Sequence, residues 1–193
     1  AAVLQEQVMP GQFERGPDGL MRLDRPITGT GVIGEVHIPR NSNTPAVCRK
    51  LVADWGKHQG EVRCYGDATG GARGTAKVAG SDWDLIKAEM RAAFGDRVSF
   101  RVPAANPLER PRVNAVNTRL LAGDGAVRLM VDPKRAPNVV KDFEGVRLLA
   151  GGSGEIDKKA TPMLSHLTDG IGYYVEREFP IVKRTATVTP LHA

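Results

Sequence analysis

Long apolar stretches, paired cysteines and aromatic residues are what this chain has least of. No apolar run approaches the roughly 20 residues that a helix needs to cross a bilayer. Val3-Leu4 gives way at once to Gln5-Glu6-Gln7, so the first residues do not read as a signal peptide. The only cysteines are Cys48 and Cys64, with no Cys-x-x-Cys pair, which argues against a zinc site and leaves two reduced, buried thiols as the plain reading. Aromatic residues make up 5% of the chain against 41% hydrophobic residues overall, so aliphatic packing must dominate the core. Repeats and low-complexity tracts are absent as well.

Two glycine-rich stretches fall short of phosphate-binding motifs. Gly29-Thr-Gly-Val-Ile-Gly34 spells GxGxxG but leads into a strand-like run ending at Pro39. It therefore offers no helix N-terminus to a pyrophosphate and reads as a turn before a strand. Gly70-Gly-Ala-Arg-Gly-Thr75 lacks the GxxxxGK[ST] spacing, which excludes a motor ATP site of that type.

What is present is a one-domain length of 193 residues and a modest cationic excess of +5. The excess suits a polyanionic partner without specifying one. Strand signals fall at 1–8, 20–23, 32–38, 61–66, 97–102 and 126–131. Helix signals fall at 44–57 after the Asn41-Ser-Asn-Thr44 capping run, at 81–94 behind Ser81, and at 112–122, 138–143 and 162–177. Strands first, then strands alternating with helices, is the order of a mixed α/β sheet covered by helices. We expect the 61–66 strand near the centre of that sheet, the 165–177 helix packed beside it, and a loose tail over 181–193.

Two aspartates stand out. Asp67 follows the 61–66 strand and is bracketed by glycines. Asp169 lies in the last predicted helix, three residues after His166. Carboxylates in two such places can converge on one divalent cation, since Mg²⁺ takes oxygen ligands and few protein carboxylates. Each also has a plain structural explanation. A post-strand aspartate commonly caps turn amides, and Asp169 lies off the Leu164, Leu167, Ile171, Val175 stripe on a face that suits solvent. Gly170 and Gly172 weigh against the second explanation. Each costs roughly 1 kcal/mol relative to alanine inside a helix, which suggests close approach by another backbone or a ligand. Arg73, Lys77, Lys158 and Lys159 flank the two acids in loops, where they could position a phosphate backbone.

Several short stretches occur in an order that resembles the C-terminal nuclease domain of tailed-bacteriophage (or prophage) terminase large subunits. They are Gly34-Glu-Val-His-Ile-Pro-Arg-Asn-Ser-Asn-Thr44, Tyr65-Gly-Asp-Ala-Thr-Gly70, Asn114-Ala-Val-Asn-Thr-Arg119, Val131-Asp-Pro-Lys134, Lys141-Asp-Phe-Glu144, and Ile156-Asp-Lys-Lys159 ahead of His166-Leu-Thr-Asp169. The last pair separates this family from resolvases and transposases. The resemblance implies a ribonuclease-H-like fold over residues 1–180, a mixed sheet flanked by helices. It also implies a two-metal Mg²⁺ or Mn²⁺ site that cuts concatemeric DNA during packaging in the bacterial host cytoplasm. The implied partners are double-stranded DNA, the terminase ATPase domain, the small subunit and the portal, with no membrane.

On the family's pattern Asp67 and Asp169 are the second and third catalytic metal ligands. His166 and Glu35 would lie beside the metal and order the site. Arg73, Lys77, Lys158 and Lys159 would contact DNA. The family's first acid lies on an opening strand just before the point matching Ala1, so the expectation is weak or no cutting by residues 1–193 alone, unless Glu6 or Glu35 substitutes. The alternative is a non-catalytic module of the same fold that binds DNA or docks on a packaging partner.

Overall fold

The computed structural model describes residues 1–9, 13–15, 21–23, 27–71, 81–152, 154–160, 162 and 164–181. Its central element is a three-stranded mixed sheet. Strand β1 (Ala2–Met9) pairs antiparallel with β4 (Ile27–Glu35), and β4 pairs parallel with β7 (Leu129–Val131). A short antiparallel pair, β2 (Phe13–Arg15) and β3 (Met21–Leu23), lies between β1 and β4 in sequence. A separate parallel pair is formed by β5 (Val62–Cys64) and β6 (Val98–Phe100). The expectation of the 61–66 strand near the centre of one sheet is therefore corrected. Among the described residues β5 hydrogen-bonds only β6, and side chains make its link to β1. The Gly29–Gly34 stretch is not a turn before a strand but the body of β4.

The helices begin where capping chemistry allows. Helix α1 (Thr44–Trp55) starts behind Asn43, whose side chain accepts from the Ala46 amide at 2.9 Å, with Pro45 in the first turn. Helix α2 (Asp82–Phe94) opens on a capping box between Ser81 and Asp84. Helix α3 (Glu109–Leu120) begins three residues earlier than its sequence signal, because Pro111 fits a first turn where no amide donor is needed. Helix α4 is Pro137–Gly145 and α5 is His166–Glu178.

The core joins β4, β7, α3, α4 and α5 through Val32, Leu129, Ala115, Val116, Val139, Ile171, Tyr174 and Val175. Two arginines complete the buried stripe of α3, Arg112 and Arg119, alongside Ala115 and Val116. Their charges are accommodated by aromatic faces. The Arg119 guanidinium lies 3.8 Å from the centre of the Phe179 ring and that of Arg112 lies 4.4 Å from Tyr173. Arg119 also donates to the Arg128 carbonyl at 3.1 Å. Elsewhere Trp55 of α1 covers β4 at Gly34, where a Cβ would come within 2.8 Å of the indole.

Tyr174 ties the two sheets to α5. Its hydroxyl meets Thr30 Oγ1 of β4 at 2.9 Å and Glu6 of β1 at 3.2 Å. Its ring packs edge-on against Tyr65, just beyond β5, at 5.2 Å. Arg63 of β5 reaches Glu6 of β1 at 3.8 Å across the same junction. The result is a mixed α/β structure with a small mixed sheet flanked by helices.

Candidate functional site

Asp67 sits three residues past the end of β5, at the head of a 3₁₀ turn spanning Ala68–Gly71. One oxygen, Oδ1, holds that turn by accepting from Thr69 Oγ1 at 2.7 Å and from the Gly70 amide at 2.8 Å. The Asp67 carbonyl accepts from Trp83 Nε1 at 2.8 Å, so α2 seats the turn from behind. Gly66 and Gly70 are required here, because a Cβ would stand 2.7 Å and 2.9 Å respectively from the Trp83 indole. The sequence signal at Asp67 thus contains a real turn function. It occupies one carboxylate oxygen and leaves Oδ2 without a hydrogen-bond partner among the described residues.

Asp169 has both of its oxygens engaged. It stands in the first turn of α5, half-buried. Oδ1 accepts from Arg112 Nη2 at 2.9 Å, and Arg112 is buried. Oδ2 is held by Lys158 Nζ at 3.1 Å, and the lysine side chain is 49% exposed. The same ammonium lies 3.3 Å from Glu109 Oε2, and Glu109 Oε1 accepts from the Ile156 amide. Burial alone would depress the Lys158 ammonium, but the hydrogen bonds and charges of Asp169 and Glu109 outweigh it and hold its pKa above the ordinary lysine value. Gly172 explains how Arg112 fits, since a Cβ there would stand 2.8 Å from Arg112 Cγ. Gly170 has no such neighbour among the described residues. The close approach expected of another backbone or a ligand is at Gly172 that of the Arg112 side chain, and at Gly170 none is found among the described residues.

The remaining predicted residues divide clearly. Glu35 accepts from the amides of Asn138 and Val139 at 3.0 Å and 2.9 Å and from the Asn138 side chain. It closes the N-terminus of α4, where a carboxylate is favoured. His166 is exposed at the start of α5, one turn from Asp169. Glu6 is engaged by Tyr174 and Arg63. Lys159 is exposed, and its backbone amide donates to Asp157 at 3.1 Å. Arg73 and Lys77 lie outside the described residues, as does the 182–193 tail.

Two contributors carried no usable sequence signal. Asp142, buried on α4, accepts from the Leu167 amide at 2.8 Å and so caps α5 from outside it. Arg112 appeared only as a helix residue. A cleft of ≈ 190 Å³ adjoins Asp169, lined by Val116, Phe143, Leu148 and Ile156, with Arg112 and Thr168. It falls below the ≈ 300 Å³ of ordinary small-molecule sites.

Among the described residues Asp67 and Asp169 share no hydrogen-bond partner. Among the described residues no group of three His, Cys, Asp or Glu side chains could hold a metal ion. The two aspartates differ as donors: Asp67 keeps one oxygen open among the described residues, whereas Asp169 has a cation on each oxygen, Arg112 and Lys158. Mg²⁺ is commonly bound through one or two carboxylates with water completing the shell. No family model matches the chain, and no curated protein or solved structure does so either.

Proposed function

We propose that this chain is a divalent-metal-dependent endodeoxyribonuclease domain of the terminase large-subunit kind, ribonuclease-H-like in fold, that cuts concatemeric phage DNA during genome packaging. The observation that supports the reading is the turn at Asp67, which stands past a parallel strand with one oxygen fixed by the fold and the other left open among the described residues. Asp169, on α5, has both oxygens engaged, by Arg112 and Lys158. Tyr174 of α5 packs on Tyr65, two residues before Asp67 in the chain. Asp67 and Asp169 would hold Mg²⁺ or Mn²⁺. The cation would supply activation of a water and stabilisation of charge on the leaving oxygen. Arg112 keeps Asp169 from turning away, and Trp83 fixes the turn that presents Asp67.

Nicking of supercoiled plasmid across a Mn²⁺ titration tests the reading, with DNA binding followed at two salt concentrations. Slow nicking that Asp67→Asn and Asp169→Asn each abolish, with circular dichroism unchanged, is the expected result. Cutting that survives either substitution removes that residue as a ligand. No cutting at any Mn²⁺ concentration, together with salt-sensitive DNA binding, would replace the nuclease reading with a non-catalytic DNA-binding module.

A further inference from the structure

We propose that the cleft between α3, α5 and the hairpin over 147–157 seats one bulky apolar residue of a partner protein, with Arg112 donating to that residue's main-chain carbonyl. The inference is independent of the nuclease reading. The cleft's walls carry apolar surface that the fold leaves unfilled. Val113, Phe143, Val146 and Ile156 line it and are only half-buried, and Leu148 is 54% exposed. Leu149, beside it but not lining the cleft, is 39% exposed. These walls are set before anything binds. The Leu149 amide donates to the Glu155 carbonyl at 2.8 Å and the Asp157 amide to the Arg147 carbonyl at 2.7 Å, which closes the hairpin. Glu109 of α3 ties it down, one oxygen accepting from the Ile156 amide and the other lying 3.3 Å from the Lys158 ammonium. Arg112 supplies a second, independent observation. It lines the cleft, is 5% exposed, and its Nη1 is buried with no hydrogen-bond partner among the described residues. A buried donor left unmet is costly, so an acceptor brought into the cleft gains by meeting it.

Size and charge define the occupant. An apolar cavity of about 150 Å³ holds one benzene ring, so ≈ 190 Å³ suits a single branched or aromatic side chain. The charges at the cleft are already balanced. Arg112 and Lys158 each pair with Asp169, and Lys158 pairs with Glu109 as well. Two cations against two carboxylates leave no excess to draw in an anion, which favours a neutral group. A peptide residue combines the needed properties: an apolar side chain, no charge, and a carbonyl acceptor. The exposed Leu148 and Leu149 favour a protein over a molecule of cleft size, because only a larger surface covers them too. Binding requires the guanidinium to present Nη1 to the carbonyl while Nη2 stays on Asp169.

Titration of the full chain with N-acetyl-leucinamide, followed in ¹H–¹⁵N spectra, tests the proposal. Binding on the order of millimolar is expected, with shifts at the Ile156, Thr168 and Gly172 amides. N-acetyl-alaninamide buries less apolar surface and should bind at least about tenfold more weakly. N-acetyl-leucine, which carries a carboxylate, should bind no more tightly than the leucinamide. The Arg112 Nη1 resonance should move with the leucinamide and stay in place with cyclopentane, which has no acceptor. Val113→Phe fills the cleft and should abolish the shifts. Val127→Ala, at an exposed apolar residue that does not line the cleft, should leave them unchanged. Absent shifts at those amides, equal binding of the leucine and alanine amides, tighter binding of N-acetyl-leucine, an unmoved Nη1, or shifts that survive Val113→Phe would each overturn the proposal. Should Val113→Phe fold poorly by circular dichroism, Leu148→Asp, on the exposed hairpin, is read against the same outcomes.

Discussion

Replacing Glu35 by alanine separates a structural carboxylate from a metal-site one. In the native structure its two oxygens accept from the main-chain amides of Asn138 and Val139 and from the Asn138 side chain. Val139 is fully buried, so its amide cannot exchange the lost partner for water, whereas half-buried Asn138 can do so in part. An unsatisfied buried amide costs about 1–3 kcal/mol and a half-exposed one less, for a total near 2 kcal/mol. The favourable charge at the N-terminus of α4 is lost as well, about 0.3–1 kcal/mol. For a chain of this size a loss of about 2–3 kcal/mol lowers Tm by roughly 4–12 °C. Glu35→Gln keeps one acceptor and should lose about half as much. Thermal unfolding followed by circular dichroism reads the stability, and a Mn²⁺ titration of each variant at a temperature where it is folded reads the site. A Tm within 1 °C of wild type combined with weakened Mn²⁺ binding would refute the capping account and return Glu35 to the metal.

The two glycines of α5 should behave oppositely. Gly172→Ala forces Arg112 from its seat and should cost roughly 1–3 kcal/mol, whereas Gly170→Ala meets nothing and should be neutral or stabilising by up to about 1 kcal/mol, both read as Tm. The Cys64 thiol is pushed up to about 11, chiefly by burial, and burial raises the Cys48 thiol too. Both should therefore label slowly with a thiolate-selective disulfide reagent at pH 8 and rapidly once unfolded, and fast native labelling would contradict the packing around them. Burial and the nearby Glu6 carboxylate raise the Tyr174 hydroxyl to about 12 from an ordinary value of 10.0. A raised folded value means that this contribution to stability is complete below about pH 10 and is lost as pH rises towards 12. Stability measured across that range should fall less steeply in Tyr174→Phe than in the wild-type chain.

Local chemistry could be read without the structure because it depends on neighbours in the chain. Asn43 and Ser81 announced their helices, the order of elements announced a mixed α/β arrangement, and Asp67 between glycines announced a special turn. Gly172 announced a close approach, but by a backbone or a ligand rather than by the Arg112 side chain that is found there. The rest depends on partners far away in sequence. Tyr174 meets Thr30 and Glu6 from more than a hundred residues away, Glu35 caps a helix that begins at Pro137, and Asp142 caps α5 from a different helix. No periodicity encodes such meetings. A buried arginine is the clearest case. On a helical wheel Arg112 and Arg119 are polar residues suited to solvent; inside the fold the Tyr173 and Phe179 rings, with Asp169 for Arg112 and the Arg128 carbonyl for Arg119, give their charges a place. The same tertiary contacts decided the state of Asp169. Sequence could propose the carboxylate as a ligand. The fold set Arg112 on one of its oxygens and Lys158 on the other, because both cations reach it from chain segments that its own helix does not specify.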